Sequence, residues 1–391
     1  MTQRYGLLLI LLGVFWLLAR TPVAEATDLP AVSQSAAGQL DMQEIEDYIG
    51  RLDRDVKSYL PEFDFSGLVH ALARRDLDLG LEKLFGRVLD LMLGEVRANI
   101  ALLSKLLVLA LICLLLSNLG HAFRGGEAGE TAHLVVYLVL AIIALGSFSL
   151  AVNTCREVVD KMVSFMQALL PVLLTLLVAV GGAGTTALLQ PVLFVAISII
   201  ATLVKNVVLP LILLAAVLGV SGGLSRHFYT GKLAGLFKSA SLGLLGLFGT
   251  LFLGVLSLAG VAGAVGDGLL IRTAKYATDA FVPVVGGMFA DVLETLVSTV
   301  LWMKNAVGIA GVVVILAMVL LPLLKVLALY IIYRLSGALL QPLGDGRVVD
   351  CLSELAGSLL LVFAALSTVC LMFFFAVAAV VALGNLTVML R

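Results

Sequence analysis

The stretch AVGIAGVVVILAMVLLPLLKVLAL, residues 306–329, decides the fold class of this chain. About 20 apolar residues in a row allow a helix to cross the roughly 30 Å hydrocarbon core of a bilayer. Inside lipid every backbone N–H and C=O group must be hydrogen-bonded within the protein, so such a stretch must be helical. Its one charged residue is Lys325. The stretch is therefore predicted to be a transmembrane helix.

Other stretches share this apolar character, and Lys105 is the only charged residue within them. The predicted spans are residues 100–119, 134–152, 167–180, 188–204, 207–220, 240–265, 306–329 and 355–383. Composition agrees, because 61% of the chain is hydrophobic and 13% is charged, whereas a soluble domain carries about 25% charged residues. We predict an all-α, polytopic membrane protein with about eight spans, the count lying between seven and nine.

Charge and motifs exclude several classes of function. The net charge is −1 and no basic cluster appears, so the predicted partner is a lipid bilayer and not a nucleic acid. The four cysteines have no metal-binding spacing; they are Cys113, Cys155, Cys351 and Cys370. No hydrolase, P-loop or metalloprotease motif is present. We expect no catalytic residues, no metal and no cofactor.

The N-terminus is predicted to be exported. Residues 1–26 have the form of a signal peptide, with Arg4, an apolar run and the cleavage pattern Ala24-x-Ala26. An uncleaved anchor is the alternative, because Arg20 follows the apolar run. Residues 27–99 are acidic with helical periodicity and are predicted to form a small exported helical segment, while residues 100–391 form the transmembrane domain.

Cations in the loops predict the orientation of the spans. The loop 221–239 carries Arg226, Lys232 and Lys238 and no acidic residue, so it is predicted to be cytoplasmic. With the loop 153–165 outside, three crossings must separate the two loops. That count places a break at Lys205-Asn206, between two short spans, with a re-entrant pair as the alternative.

The remaining connections are predicted from their charges and helix breakers. The loop 266–280 is expected to be external and charge-balanced. Residues 281–305 are apolar but carry Pro283, a Gly-Gly pair and three charged residues. They are predicted to form a re-entrant or interfacial helix.

Polar groups within the membrane zone are candidate functional residues, because they are costly to bury in lipid. Two Lys-Asn pairs, each preceded by a Gly-Gly pair, suggest a degenerate internal repeat with broken helices, as transporters use at substrate sites. Chance coincidence is the alternative, with the lysines snorkelling to the interface. The residues of this hypothesis are Lys205, Asn206, Gly286, Gly287, Lys304 and Asn305.

Two further groups of residues attract attention. Asp291 and Glu294 lie three apart, hence on one helical face. They line a water-filled passage near Pro283, or they are the solvated face of an interfacial helix. Small residues let helices approach closely in lipid, so one span is predicted to pack tightly in the bundle or in an oligomer through Gly243, Gly246 and Gly249.

One run carries a family resemblance. The residues KYATDAFVPVVGGMFAD at 275–291, followed by KNAVG at 304–308, resemble the stage III sporulation protein AE family. The order of signal peptide, acidic segment and many spans agrees with that family along most of the chain. The resemblance implies synthesis in the mother cell of an endospore-forming bacterium and residence in the outer forespore membrane, with the N-terminal segment outside the mother-cell cytoplasm.

The resemblance also implies a function and partners. The family belongs to a secretion-like channel complex that links the mother cell to the engulfed forespore and supports late forespore gene expression. The implied partners are the other membrane proteins of the stage III sporulation A operon and a forespore-side channel protein; a homo-oligomer is also left open. The alternative function is that of a self-sufficient secondary transporter or permease, suggested by the broken helices.

Overall fold

The computed structural model describes the backbone of residues 81–122, 127–222, 230–281, 286–343 and 346–389. Side chains are described within these ranges except at 81–88, 116–130, 268–297, 386–389 and a few single positions. The described chain is helical and contains no strand, which confirms the all-α prediction. The predicted signal peptide and nearly all of the exported segment, up to residue 80, lie outside the described residues.

The described helices vary widely in length. They are α1 (Leu81–Ala98), α2 (Ile100–Ala122), α3 (Glu127–Ala179), α4 (Ala183–Leu203), α5 (Leu209–Ser221), α6 (Gly231–Phe281), α7 (Gly286–Leu340) and α8 (Gly346–Met389). Five helices in the described chain are long and apolar enough to cross a membrane, counting α4 and α5 as one. The pair α1 and α2, bent by 49°, would make a sixth. The predicted count of about eight spans is therefore not confirmed.

The loop predicted at 153–165 is wrong, because α3 runs without interruption through both predicted spans on its two sides. The residues between those spans contain no glycine or proline. Their charged members are mostly good helix formers, so an apolar helix can continue through them. The charged residues between the two spans are compatible with a helix, so their charge does not indicate a loop.

The break predicted at Lys205-Asn206 is also wrong, and so is the re-entrant alternative. A single π-helical turn, Val204–Val208, joins α4 to α5 and keeps the helix continuous. The Leu209 N–H donates to the carbonyl of Val204 across this wider turn. Pro210 lacks an N–H and its ring crowds the carbonyl four residues earlier, so a wider turn just before it relieves the conflict.

Two further connections differ from the prediction. Instead of an external loop at 266–280, α6 continues as a helix to Phe281. Instead of a separate re-entrant or interfacial helix at 281–305, the chain from Gly286 onward belongs to α7, together with the predicted span 306–329. The predicted spans 240–265 and 355–383 lie within α6 and α8 and are helical as expected.

Successive long helices run antiparallel, which defines two ends of the bundle. At the first end, α3 turns into α4 at Gly181, whose φ of 98° favours glycine. At the second end, the Tyr137 hydroxyl on α3 donates to the Val220 carbonyl on α5 at 2.7 Å. Between these ends α7 and α8 pack along each other and against α3, with Val314 and Phe373 in the buried core.

Candidate functional site

Lys304 is the most unusual side chain in the described bundle. It lies on α7, fully buried, and its Nζ donates to the Val381 carbonyl on α8 at 2.8 Å. A Cβ built on Gly384 would collide with this ammonium group and would lie 3.1 Å from Cδ1 of Leu177. The glycine therefore makes room for the lysine. Snorkelling to the interface is excluded for Lys304, because the whole side chain is inside the protein.

Unpartnered amide oxygens accompany Lys304 near the first end. The Oδ1 atoms of Asn305 and Asn385 are buried and accept no hydrogen bond from the described residues. A buried acceptor without a partner costs about 1–3 kcal/mol. Asn385 directly follows the glycine that contacts Lys304. The first end of the bundle thus holds a buried lysine and two buried amide oxygens that accept no hydrogen bond from the described residues.

Asp267 is a functional candidate that the sequence did not reveal, since it was predicted to lie in an external loop. It is fully buried on α6. One carboxylate oxygen accepts from the Gly184 N–H at 2.6 Å and the other from the Thr185 N–H at 3.1 Å. The Thr185 hydroxyl donates to the same carboxylate. Asp267 therefore caps the N-terminus of α4 from a neighbouring helix.

Close packing of backbone supports this cap. A Cβ on Gly263 would lie 2.7 Å from Cα of Thr185, and a Cβ on Gly184 would lie 2.8 Å from Oδ1 of Asp267. Gly263 precedes Asp267 by four residues and so shares its helical face. A sequence signal therefore existed, namely an acidic residue one turn after a glycine, opposite a Gly-x-Gly-Thr helix start at Gly182.

Lys205 and Asn206 lie elsewhere, in the π turn near the middle of the bundle. Lys205 Nζ pairs with Oδ1 of Asp160 on α3 at 2.7 Å, and both side chains are partly exposed, at 33% and 58%. Asn206 is exposed. The two Lys-Asn pairs thus occupy different environments, because Lys304 is fully buried at the first end whereas Lys205 and Asn206 are partly or fully exposed at the middle. The structure does not bring them together into one site.

The acidic candidates fall partly outside the described residues. Pro283 is outside them. Gly286 and Gly287 form the beginning of α7, and Asp291 and Glu294 follow on the same helix. Their side chains are not among those described, so a passage and a solvated face both remain hypotheses.

The predicted packing glycines make no close contact within the described chain. No described atom lies within 4 Å of a Cβ built on Gly243, Gly246 or Gly249. On the same helix, Gly260 and Gly263 do approach a neighbour. A packing role for the first three therefore requires a partner other than the described residues of this chain. Among the described residues no group of three His, Cys, Asp or Glu side chains could hold a metal ion.

Known proteins are similar to this chain over most of its length. A family model described as Stage III sporulation protein AE matches residues 63–384. The chain belongs to the stage III sporulation protein AE family. Stage III sporulation protein AE of Bacillus subtilis (strain 168) is 36% identical over 360 residues, which are 92% of this chain and 90% of the relative. No solved structure matches. Membership of this family supports a role in sporulation and confirms the family predicted from the run at 275–291.

Proposed function

We propose that this protein is a membrane component of the channel that links mother cell and forespore during endospore formation, needed for late forespore gene expression. The observation that carries the proposal is the 36% identity to a stage III sporulation protein over 92% of the chain. The proposed location is the outer forespore membrane, with the N-terminal segment outside the mother-cell cytoplasm. The proposed partners are the other membrane proteins of the stage III sporulation A operon and the forespore-side channel protein.

The helical bundle supports a role within a membrane assembly. Five described helices can cross a bilayer, and the first end buries Lys304 beside α8. Ionisable side chains inside membrane bundles are expensive and usually mark a functional path or contact. The polar groups of the first end therefore favour conduction or assembly over a purely mechanical anchor.

The structure gives less support to the alternative function, a self-sufficient secondary transporter or permease. That hypothesis depended on broken helices at both Lys-Asn pairs, whereas the helix is continuous through Lys205 and through Lys304. Solute uptake by the purified chain alone in liposomes would nevertheless favour a transporter over a channel component.

Deletion of the gene in its own host tests the proposed function. We expect forespores to be engulfed normally but to lose the activity of a reporter expressed late in the forespore, with recovery when the gene is supplied in the mother cell. Recovery from expression in the forespore alone would contradict the proposed location. Normal late reporter activity in the deletion strain would contradict the function itself.

The carboxylates of α7 provide a finer test. We predict that Asp291→Asn combined with Glu294→Gln impairs forespore development at normal protein abundance, because uncharged amides can no longer serve a passage or a partner contact. The matched control is Asp350→Asn, an exposed carboxylate on α8, which should leave spore yield unchanged. Wild-type spore yield from the double variant would show that the two carboxylates are an ordinary solvated surface.

A further inference from the structure

An ion pair ties α6 to α8 at the second end of the bundle. Nζ of Lys238 on α6 pairs with the carboxylate of Glu354 on α8 and also donates to the Glu354 carbonyl at 3.2 Å. A Cβ built on Gly219 of α5 would lie 3.1 Å from Oε2 of Glu354. A Cβ on Gly357 of α8 would lie 3.5 Å from Nζ of Lys238. The ion pair therefore fits a defined space between α5, α6 and α8.

Water can reach this ion pair. The Lys238 side chain is 21% exposed and the Glu354 side chain is 44% exposed. Partly exposed ion pairs contribute little net stability, because solvent competes for both charges. Breaking the pair therefore costs little, and the contact can open and close while the rest of the bundle stays folded.

Apolar packing is sparse in the part of α6 that carries Lys238. Within residues 231–242 the buried side chains are Ala234 and Ser241, and both are small. The large buried side chains of α6 begin only at Leu245 and continue with Phe248. A segment with few buried apolar contacts separates from its neighbours at low cost in free energy. Residues 231–242 are thus held to α8 more by charge than by apolar packing.

Three glycines follow this segment directly. Gly243, Gly246 and Gly249 lie within about two turns of α6, and no described atom lies within 4 Å of a Cβ built on any of them. Close packing within the described chain therefore does not explain why these positions lack a side chain. Glycine is unfavourable inside a helix, and helices bend where glycine and serine are grouped. The three glycines are thus suited to act as a flexible joint within α6.

The other end of the segment is attached to α5. The Thr230 hydroxyl, just before α6, donates to the Leu218 carbonyl at 2.9 Å. This hydrogen bond keeps the beginning of α6 beside α5. A separation at the second end would therefore open between α6 and α8, where the ion pair lies.

We propose that residues 231–242 form a movable segment of α6, held against α8 by the Lys238–Glu354 ion pair and jointed at Gly243, Gly246 and Gly249. When the ion pair breaks, the segment moves away from α8 and water enters between the two helices. The inference concerns a motion of this chain alone and does not depend on the proposed channel.

A buried cysteine on the segment reports this motion. Ser241 is fully buried and shares the helical face of Lys238, so Ser241→Cys should react with a water-soluble maleimide only when the segment opens. In the full-length protein, in membranes broken open, the labelling rate should be low. Addition of Lys238→Met, which keeps a similar volume and removes the charge, should raise the rate about fivefold, because a partly exposed ion pair is lost. Glu354→Gln should have the same effect from the other side of the pair.

Controls separate the ion pair from general effects of charge and folding. Lys232→Met removes an exposed cation of the same segment and should leave the labelling rate of Ser241→Cys unchanged. Lys238→Glu combined with Glu354→Lys should restore slow labelling, because the attraction returns. Native Cys155 is buried in the middle of the bundle and should stay unlabelled in every variant, which distinguishes local opening from unfolding.

Stiffening of the joint is the last step of the test. Alanine at Gly243, Gly246 and Gly249, added to Lys238→Met, should lower the labelling rate, since a Cβ fits these open positions and favours the helix. An unchanged rate in Lys238→Met and in Glu354→Gln would overturn the proposal. So would fast labelling after the charge exchange, labelling of Cys155 as fast as that of Ser241→Cys, or alanine substitutions without effect on the rate.

Discussion

The buried carboxylate of Asp267 fixes the N-terminus of α4 against α6. Its carboxylate accepts the Gly184 and Thr185 N–H groups and the Thr185 hydroxyl. We predict that Asp267→Ala lowers the free energy of unfolding by about 2 kcal/mol or more, because a charge-assisted cap is lost and buried donors are left unpaired. Asp267→Asn should cost less, since one acceptor oxygen remains. Thermal unfolding in detergent measures both changes. Asp350→Ala, an exposed acid, is the control, and equal stability of Asp267→Ala would contradict the cap.

Substitution of Lys304, at the same end of the bundle, can distinguish a role in stability from a role in function. Methionine fills a similar volume without charge, and replacing a buried charge by an apolar side chain is often neutral or stabilising. We predict that Lys304→Met leaves protein abundance and unfolding temperature unchanged or higher and abolishes sporulation. Gly384→Ala should instead reduce abundance, because the added Cβ collides with the Lys304 side chain. Full spore yield from Lys304→Met would assign the lysine to packing alone.

At the scale of helices, the sequence predicts well which stretches are helical but predicts poorly where each helix begins and ends. Hydropathy identified every apolar stretch, and all of those in the described chain are helical. It failed where charges lie inside a helix, because Arg156, Glu157 and Lys205 resemble a loop signal but do not interrupt the backbone. The Asp267 cap was missed because its partners lie 82 and 83 residues away. The glycine one turn before Asp267 and the Gly-x-Gly-Thr helix start are each visible in the sequence, but local pattern does not show that the two meet.

The glycines of α6 provide a matched pair of substitutions within one helix. Gly263→Leu should destabilise the bundle and reduce abundance, because a Cβ there already lies 2.7 Å from Thr185 Cα. Gly246→Leu should leave abundance and unfolding unchanged, since its face is open in the described chain. If Gly246 contacts a second molecule, the variant should insert normally but lose assembly and spore formation. Normal sporulation with Gly246→Leu would show that this face has no packing partner.

At the scale of the whole molecule, the continuous helices alter the predicted order of membrane crossings, while the all-α fold class stays as predicted. Residues 183–221 form one helix of about 58 Å at 1.5 Å per residue, and therefore pass from one end of the bundle to the other. The loop between α5 and α6 and the turn between α7 and α8 consequently lie at the same, second end. In sequence, these two connections and the helix ends beside them carry five cations against three acids, namely Arg226, Lys232, Lys238, Arg334 and Arg347 against Asp345, Asp350 and Glu354. Lys238 and Glu354 form an ion pair at that end.

Positive charge favours the cytoplasmic side of a membrane, so the second end should face the cytoplasm and the first end the outside. The four native cysteines are buried, and we therefore expect little background labelling by a membrane-impermeant thiol reagent. In intact vegetative cells expressing the protein, Ala183→Cys at the first end should react, because that position is exposed. Ser225→Cys, in the cationic loop, should react only after the cells are broken open. Labelling of Ser225→Cys in intact cells, with Ala183→Cys protected, would invert the bundle and place the buried Lys304 near the cytoplasmic face.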